Sequence, residues 1–140
     1  MKKLLSICVL LAGYWMFAAS ARAQVVVIAN PSVASSSVSK EELRKVFIEG
    51  ASRLKDGSKV TPVLLKQGPA HSAFLLHYLE TTDVRLMVVW RGLVLTGQGT
   101  VPKSFDSEAE MVQYVASKPG ALGYISNSTA HDGVKVLAVQ

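Results

Sequence analysis

The sequence predicts one α/β domain, a mixed sheet flanked by helices, on three observations. Val25-Val26-Val27-Ile28 is a β-branched run without polar alternation, the pattern of a strand covered on both faces. Strand-like and helix-like stretches then follow in the order β-α-β-α-α-α-β-β, with no internal repeat. A chain of 140 residues can build one modest core and is too short for a multidomain enzyme.

The first strand spans residues 24–29. Asn30-Pro31 ends it, and the serine-rich stretch 32–37 is a strand-to-helix loop. Ser39 and Glu42 have capping-box spacing, so each side chain can accept from a backbone N–H left unpaired at a helix start. Leu43, Val46 and Phe47 share the inner face of this helix, and Gly50 is placed to stop it. After a polar turn with Asp56-Gly57, residues 60–65 form a second strand. Pro69 suits the first position of the next helix, where its missing N–H costs nothing. Phe74, Leu75, Tyr78 and Leu79 are the apolar stripe of that helix. A third helix starts near Thr82 or Asp83, with Leu86, Val89, Trp90, Leu93 and Val94 in register as its inward face, and Gly97-Gln98-Gly99 closes it. Asp106 or Ser107 caps a fourth helix, whose inward residues are Met111, Val112 and Val115 and which ends at Pro119-Gly120. Residues 122–125 and 134–139 supply the last two strands.

Ahead of this domain, residues 1–23 predict a cleavable signal peptide. Lys2 and Lys3 precede an apolar run over residues 4–19, and Ala21-Arg22-Ala23 offers small residues at a cleavage site before Gln24. The run is shorter than the roughly 20 residues of a membrane span, and Ile7 is too large for a lipoprotein site at Cys8. The expected mature protein, residues 24–140, is exported to the periplasm and soluble, with no membrane span.

Cleavage changes the composition. The whole chain has fifteen basic and ten acidic residues, a net charge of +5 and a pI near 9.5. Lys2, Lys3 and Arg22 leave with the signal peptide, so twelve basic residues face ten acidic ones, a charge of +2. The remaining cations are scattered, without the dense aromatic-interleaved patch of a nucleic-acid binder. Cys8, the one cysteine, also leaves, which excludes disulfides and thiol chemistry.

Enzyme chemistry finds little footing. No Gly-x-Ser-x-Gly elbow occurs, and His71 and His77 are six apart, on different faces of one helix, so no metal site is expected. Glu108 and Glu110 complement the dipole of a helix start. Trp90 reads as core, and Arg91 as a surface charge or a partner for a glutamate. No catalytic residue and no cofactor is expected.

Two loops suit an anion. Lys66-Gln67-Gly68-Pro69-Ala70-His71-Ser72 follows a strand and opens a helix, whose free N–H groups and positive dipole end favour phosphate or carboxylate. Lys66, Gln67, Gly68, His71 and Ser72 are its candidate ligand residues. The plainer alternative is an ordinary turn with Lys66 solvated and His71 exposed. Ser36, with Ser32, Ser35 and Ser37, makes a second polar lining before a helix, where hydroxyls and backbone amides can hold an oxyanion; its plainer role is loop and cap.

Several separated segments carry a family resemblance. They are Asn30-Pro31, the stretch from Ser39 to Gly50, Asp56-Gly57 with Val60-Thr61-Pro62-Val63, Trp90-Arg91-Gly92 through Thr96-Gly97-Gln98-Gly99, and Pro119-Gly120-Ala121-Leu122-Gly123-Tyr124-Ile125. In this order the chain resembles the substrate-binding proteins of phosphate ABC transporters, as a short, single-lobe member of the type 2 periplasmic binding-protein fold. The resemblance implies export to the periplasm, binding of phosphate or another small oxyanion, and an envelope transporter or sensor as partner. It also implies a ligand loop with a Gly-Ser pair and an arginine ahead of a phenylalanine. Anchored on Phe74, the serine position is Gly68 and the arginine position is His71, with Lys66 or Ser72 as substitutes under a shifted alignment. An imidazole is a poorer phosphate partner than a bidentate guanidinium. One lobe also leaves an anion on an open, wet surface, so weak binding is expected. The competing expectation is a non-catalytic interaction module that keeps the fold without a tight ligand site.

Overall fold

The computed structural model describes residues 24–140; the expected signal peptide lies outside the described residues. In chain order the elements are β1 (Val25–Ala29), β2 (Ser37–Val38), α1 (Lys40–Phe47), β3 (Thr61–Leu65), α2 (Pro69–Phe74) continuing as a π-helical turn (Leu75–Leu79), α3 (Asp83–Leu95), β4 (Lys103–Phe105), α4 (Glu108–Ser117), β5 (Ala121–Ser126) and β6 (Lys135–Val139). The strands lie side by side as β2-β6-β1-β5-β3-β4. β1 runs antiparallel to β5 and β6, whereas β3 pairs parallel with β5 and β4, and β2 with β6. Five of these six strands therefore end at the same end of the sheet. The starts of α1, α2 and α4, which follow β2, β3 and β4, gather there.

Alternation along β5 assigns the two layers. Tyr124 points to α1 and α2: its ring stacks on Phe74 with centroids 3.9 Å apart and meets the edge of Phe47 at 6.2 Å. Gly123 points the other way, to α4, where an added Cβ would lie 2.9 Å from Met111 Sδ and 3.1 Å from Val63 Cγ2. Glycine there leaves room for the Met111 side chain of α4 to lie close against the sheet. Asn30, buried at the end of β1, donates from Nδ2 to the carbonyls of Val115 at 2.8 Å and Ala116 at 3.1 Å, satisfying acceptors at the end of α4.

The predicted capping box is present. Ser39 Oγ accepts from the Glu42 N–H at 3.1 Å, and Glu42 Oε2 accepts from the Ser39 N–H at 2.8 Å. Glu42 Oε1 also accepts from the Lys55 N–H at 2.9 Å, tying α1 to the turn before β3. Burial pushes the Glu42 carboxyl up, but the N–H donors of Ser39 and Lys55 outweigh it and hold it below its ordinary value. A carboxylate lowered on folding stabilises above its unfolded pKa and loses that contribution as pH falls through the folded one. Glu42→Gln should therefore destabilise the protein at pH 7, and the gap to wild type should close as pH drops below 4.5. Urea titrations at neutral and acid pH check this; a gap that stays constant would contradict it. Ser39→Ala should cost about 1 kcal/mol.

Three expectations change. β2 and β4 were not foreseen, because two and three residues at sheet edges carry no alternation to read. Ser107 alone caps α4, its Oγ accepting from the Glu110 N–H at 3.2 Å, while Asp106 pairs with Lys66. On α3 only Leu86 and Trp90 are fully buried; Val89 and Leu93 are half-buried and Val94 is exposed. The inward face of that helix is narrower than the apolar spacing predicts.

Candidate functional site

The turn from β3 into α2 lies at the end of the sheet where the helix starts gather. Gly68, at φ 107°, is the residue before α2 and offers no side-chain cap. Pro69 has no N–H, and the N–H groups of Ala70 and His71 find no partner among the described residues, whereas Ser72 donates to the Gly68 carbonyl at 3.0 Å. By contrast Ser39, Thr82 and Ser107 each cap their helix with a side-chain oxygen. Lys66, Gln67 and Ser72 are exposed in the same turn. Lys66 Nζ lies 3.2 Å from Asp106 Oδ1, an exposed surface pair of little energetic weight.

His71 departs from both sequence readings, as an exposed residue and as a side-chain donor to an anion. It is 2% exposed, and both ring nitrogens are engaged within the protein. Nδ1 lies 2.6 Å from the Tyr124 hydroxyl and Nε2 lies 2.5 Å from Asp83 Oδ1. The Tyr124 hydroxyl also accepts from the Leu65 N–H at 2.9 Å. These contacts fix the direction of the chain when the imidazole is neutral: Leu65 donates to Tyr124, Tyr124 to Nδ1, and Nε2–H to Asp83. Burial pushes the Tyr124 hydroxyl well above its ordinary pKa, with the Asp83 charge adding to it against the Leu65 N–H, so it remains a donor. His71 thus contributes its backbone N–H to the turn, while its side chain ties α2 to β5 and to the start of α3.

Ser36 does not join this group. It is exposed, and its carbonyl accepts from the Ala138 N–H at 3.0 Å beside β6. β2 lies four strand positions from β3, about 19 Å at the usual spacing. Two of the four serines of that lining are engaged locally: Ser32 Oγ accepts from the Gly120 N–H at 2.9 Å, and Ser35 Oγ donates to Asp56 Oδ2 at 2.5 Å. Glu108 does more than meet a helix dipole, since Oε1 accepts from the Ser126 N–H and from Thr129 Oγ1 at 3.1 Å, holding the end of β5 against α4. Trp90 is core as expected, its Nε1 donating to the Phe47 carbonyl at 2.7 Å.

Sequence reasoning missed Tyr124 and Asp83 as partners of His71. The available signal was a histidine and an aspartate at two successive helix starts, twelve residues apart. Beside them lies a mainly apolar groove of about 360 Å³, between α3 and the β3–β4 edge, whose walls include Leu65, Lys66, Asp83, Met87, Trp90 and Arg91. Among the described residues no cluster of three or more His, Cys, Asp or Glu is placed to hold a metal, and no helix is long and apolar enough to cross a membrane.

A mixed sheet with helices on both faces, and helix starts gathered where five of its strands end, makes an α/β lobe. More particularly, its fold is similar to part of the periplasmic binding-protein fold seen in three solved phosphate-transporter proteins. The chain is similar to a Clostridium perfringens protein described as a phosphate ABC transporter substrate-binding protein with bound phosphate, at 16% identity and a TM-score of 0.62 over 82% of this chain and 44% of that one. It is similar to PstS of Borrelia burgdorferi at 16% identity and 0.60, over 83% and 47%. It is also similar to an ABC-type phosphate transport receptor of Vibrio cholerae at 13% and 0.54, over 82% and 45%. The chain thus spans less than half the length of each. No protein-family model and no curated protein sequence matches it.

Proposed function

We propose that this chain is a non-enzymatic, solute-binding-like domain of the periplasm that takes phosphate or a similar small oxyanion at the β3–α2 turn. In this reading residues 1–23 direct export and are removed. The observation that carries the proposal is the uncapped start of α2: two free N–H groups, from Ala70 and His71, share one turn with Lys66, Gln67 and the Ser72 hydroxyl. Free N–H groups at a helix start are an anion site in waiting. The phosphate named with the Clostridium perfringens structure supports the ligand class. An envelope transporter or sensor is the partner that fits this role.

The anion rests on one lobe, so its hydrogen bonds compete with water and affinity stays modest. Calorimetric titration at low salt should show phosphate binding at about millimolar affinity or somewhat tighter, near −4 to −6 kcal/mol. Sulfate and small carboxylates should bind less tightly. Lys66→Ala combined with Ser72→Ala should weaken phosphate by about tenfold, roughly 1.4 kcal/mol. No saturable heat with any of these anions up to about 10 mM would overturn the reading.

A further inference from the structure

α3 is apolar on two sides. At about 100° per residue, Leu86, Val89, Trp90 and Leu93 fall on one arc of about 100° that faces the core. Val94, Met87, Val84, Leu95 and Val88 fall on a second arc of about 120°, nearly opposite, and all five are exposed, from 41% at Val94 to 86% at Leu95. A helix apolar on both sides is normally covered on both, and a contiguous exposed apolar patch marks an interface. The middle of this arc holds its one formal charge, Arg91, which has no carboxylate within 4.0 Å among the described residues. Asp83, eight residues earlier at the arc's margin, is 66% exposed and engages His71 through Oδ1.

We propose that the outer face of α3 binds a second copy of this chain, the two helices packing antiparallel about a two-fold axis near Met87 and Val88. This pairing is self-complementary. Reversing one helix against the other brings each Arg91 beside the partner's Asp83, giving two symmetric ion pairs within the seam, one on each side of the two-fold axis. A parallel pairing would set Arg91 against Arg91. The partner would also roof the groove that Met87 and Arg91 help to line, and so would stand beside Lys66. The inference rests on α3 alone and does not depend on anion binding at the β3–α2 turn.

The test uses protein recovered from cells expressing the full chain. Sedimentation velocity between roughly 1 and 200 μM should show a monomer–dimer equilibrium. Val88→Glu should weaken it by roughly tenfold or more, with Trp90 fluorescence unchanged as the sign of an intact fold. In a Cys8→Ser background, Val88→Cys should oxidise to a covalent dimer. Leu95→Cys should not, because antiparallel pairing separates the two copies of residue 95 by more than about 15 Å along the helix. A protein monomeric across the range, or efficient cross-linking through residue 95, would overturn the proposal; a monomer would leave the face for a different protein.

Discussion

Phe74→Ala should be the most damaging single truncation, lowering stability by about 3–5 kcal/mol. Its ring is fully buried and is stacked on Tyr124 at 3.9 Å, set edge-on to Phe47 at 5.1 Å and near Tyr78 at 5.7 Å. Truncation removes apolar burial and all three aromatic contacts, and the rigid sheet beneath cannot collapse into the space. For a domain whose total stability is about 5–15 kcal/mol, this is about a fifth or more of the margin. Phe74→Leu refills most of the volume and should cost much less. The effect reaches the proposed anion site, because Phe74 anchors α2 and α2 holds the turn from Lys66 to Ser72. Urea denaturation measures the loss, and hydrogen exchange at the Ser72 amide should quicken in parallel. A loss below about 1 kcal/mol would mean that this cluster does not organise the core.

The elements legible in the sequence were those whose signals are local. The β-branched run of β1, the Ser39–Glu42 box, Pro69 at the start of α2 and the Met111-Val112-Val115 face of α4 each state their structure within a few residues. Tertiary context decided the rest. β2 and β4 exist because β6 and β3 offer edges, and nothing in Ser37-Val38 or Lys103-Ser104-Phe105 announces a strand. α3 misleads by composition: its apolar residues are too many for one face, and only the neighbours available tell which side is buried. The site divides in the same way. The β3–α2 turn was visible as a strand, a glycine, a proline and polar neighbours. The role of the His71 side chain was not, since its partners are Tyr124, 53 residues on in another layer, and Asp83 on the next helix. Ser36 is placed by a different part of the fold. In sequence it belongs to a second serine lining, and strand order sets that lining near the opposite edge of the sheet from the β3–α2 turn.

Tyr124→Phe should cost about 2–4 kcal/mol, although it deletes a single oxygen and keeps the ring stack. The hydroxyl accepts from the buried Leu65 N–H and donates to buried His71 Nδ1, so its loss leaves two polar groups unpaired at roughly 1–3 kcal/mol each. The alkaline limb carries a second signature. The folded pKa of this tyrosine is raised above its ordinary 10.0, so its contribution is full below pH 10 and is lost as pH rises toward the folded value. Wild type should therefore lose stability above pH 10 faster than the Phe variant, and the two should converge. His71→Leu tests whether the chain acts as a unit. If Leu65, Tyr124, His71 and Asp83 are coupled, His71→Leu should cost clearly less in the Tyr124→Phe background than alone. Additivity within about 0.5 kcal/mol would show the contacts to be independent. Coupling has a structural consequence, because this chain of hydrogen bonds joins the end of β3, the first turn of α2 and the start of α3. The Tyr124 hydroxyl then helps to fix where the free N–H groups of Ala70 and His71 point and how the outer face of α3 is presented.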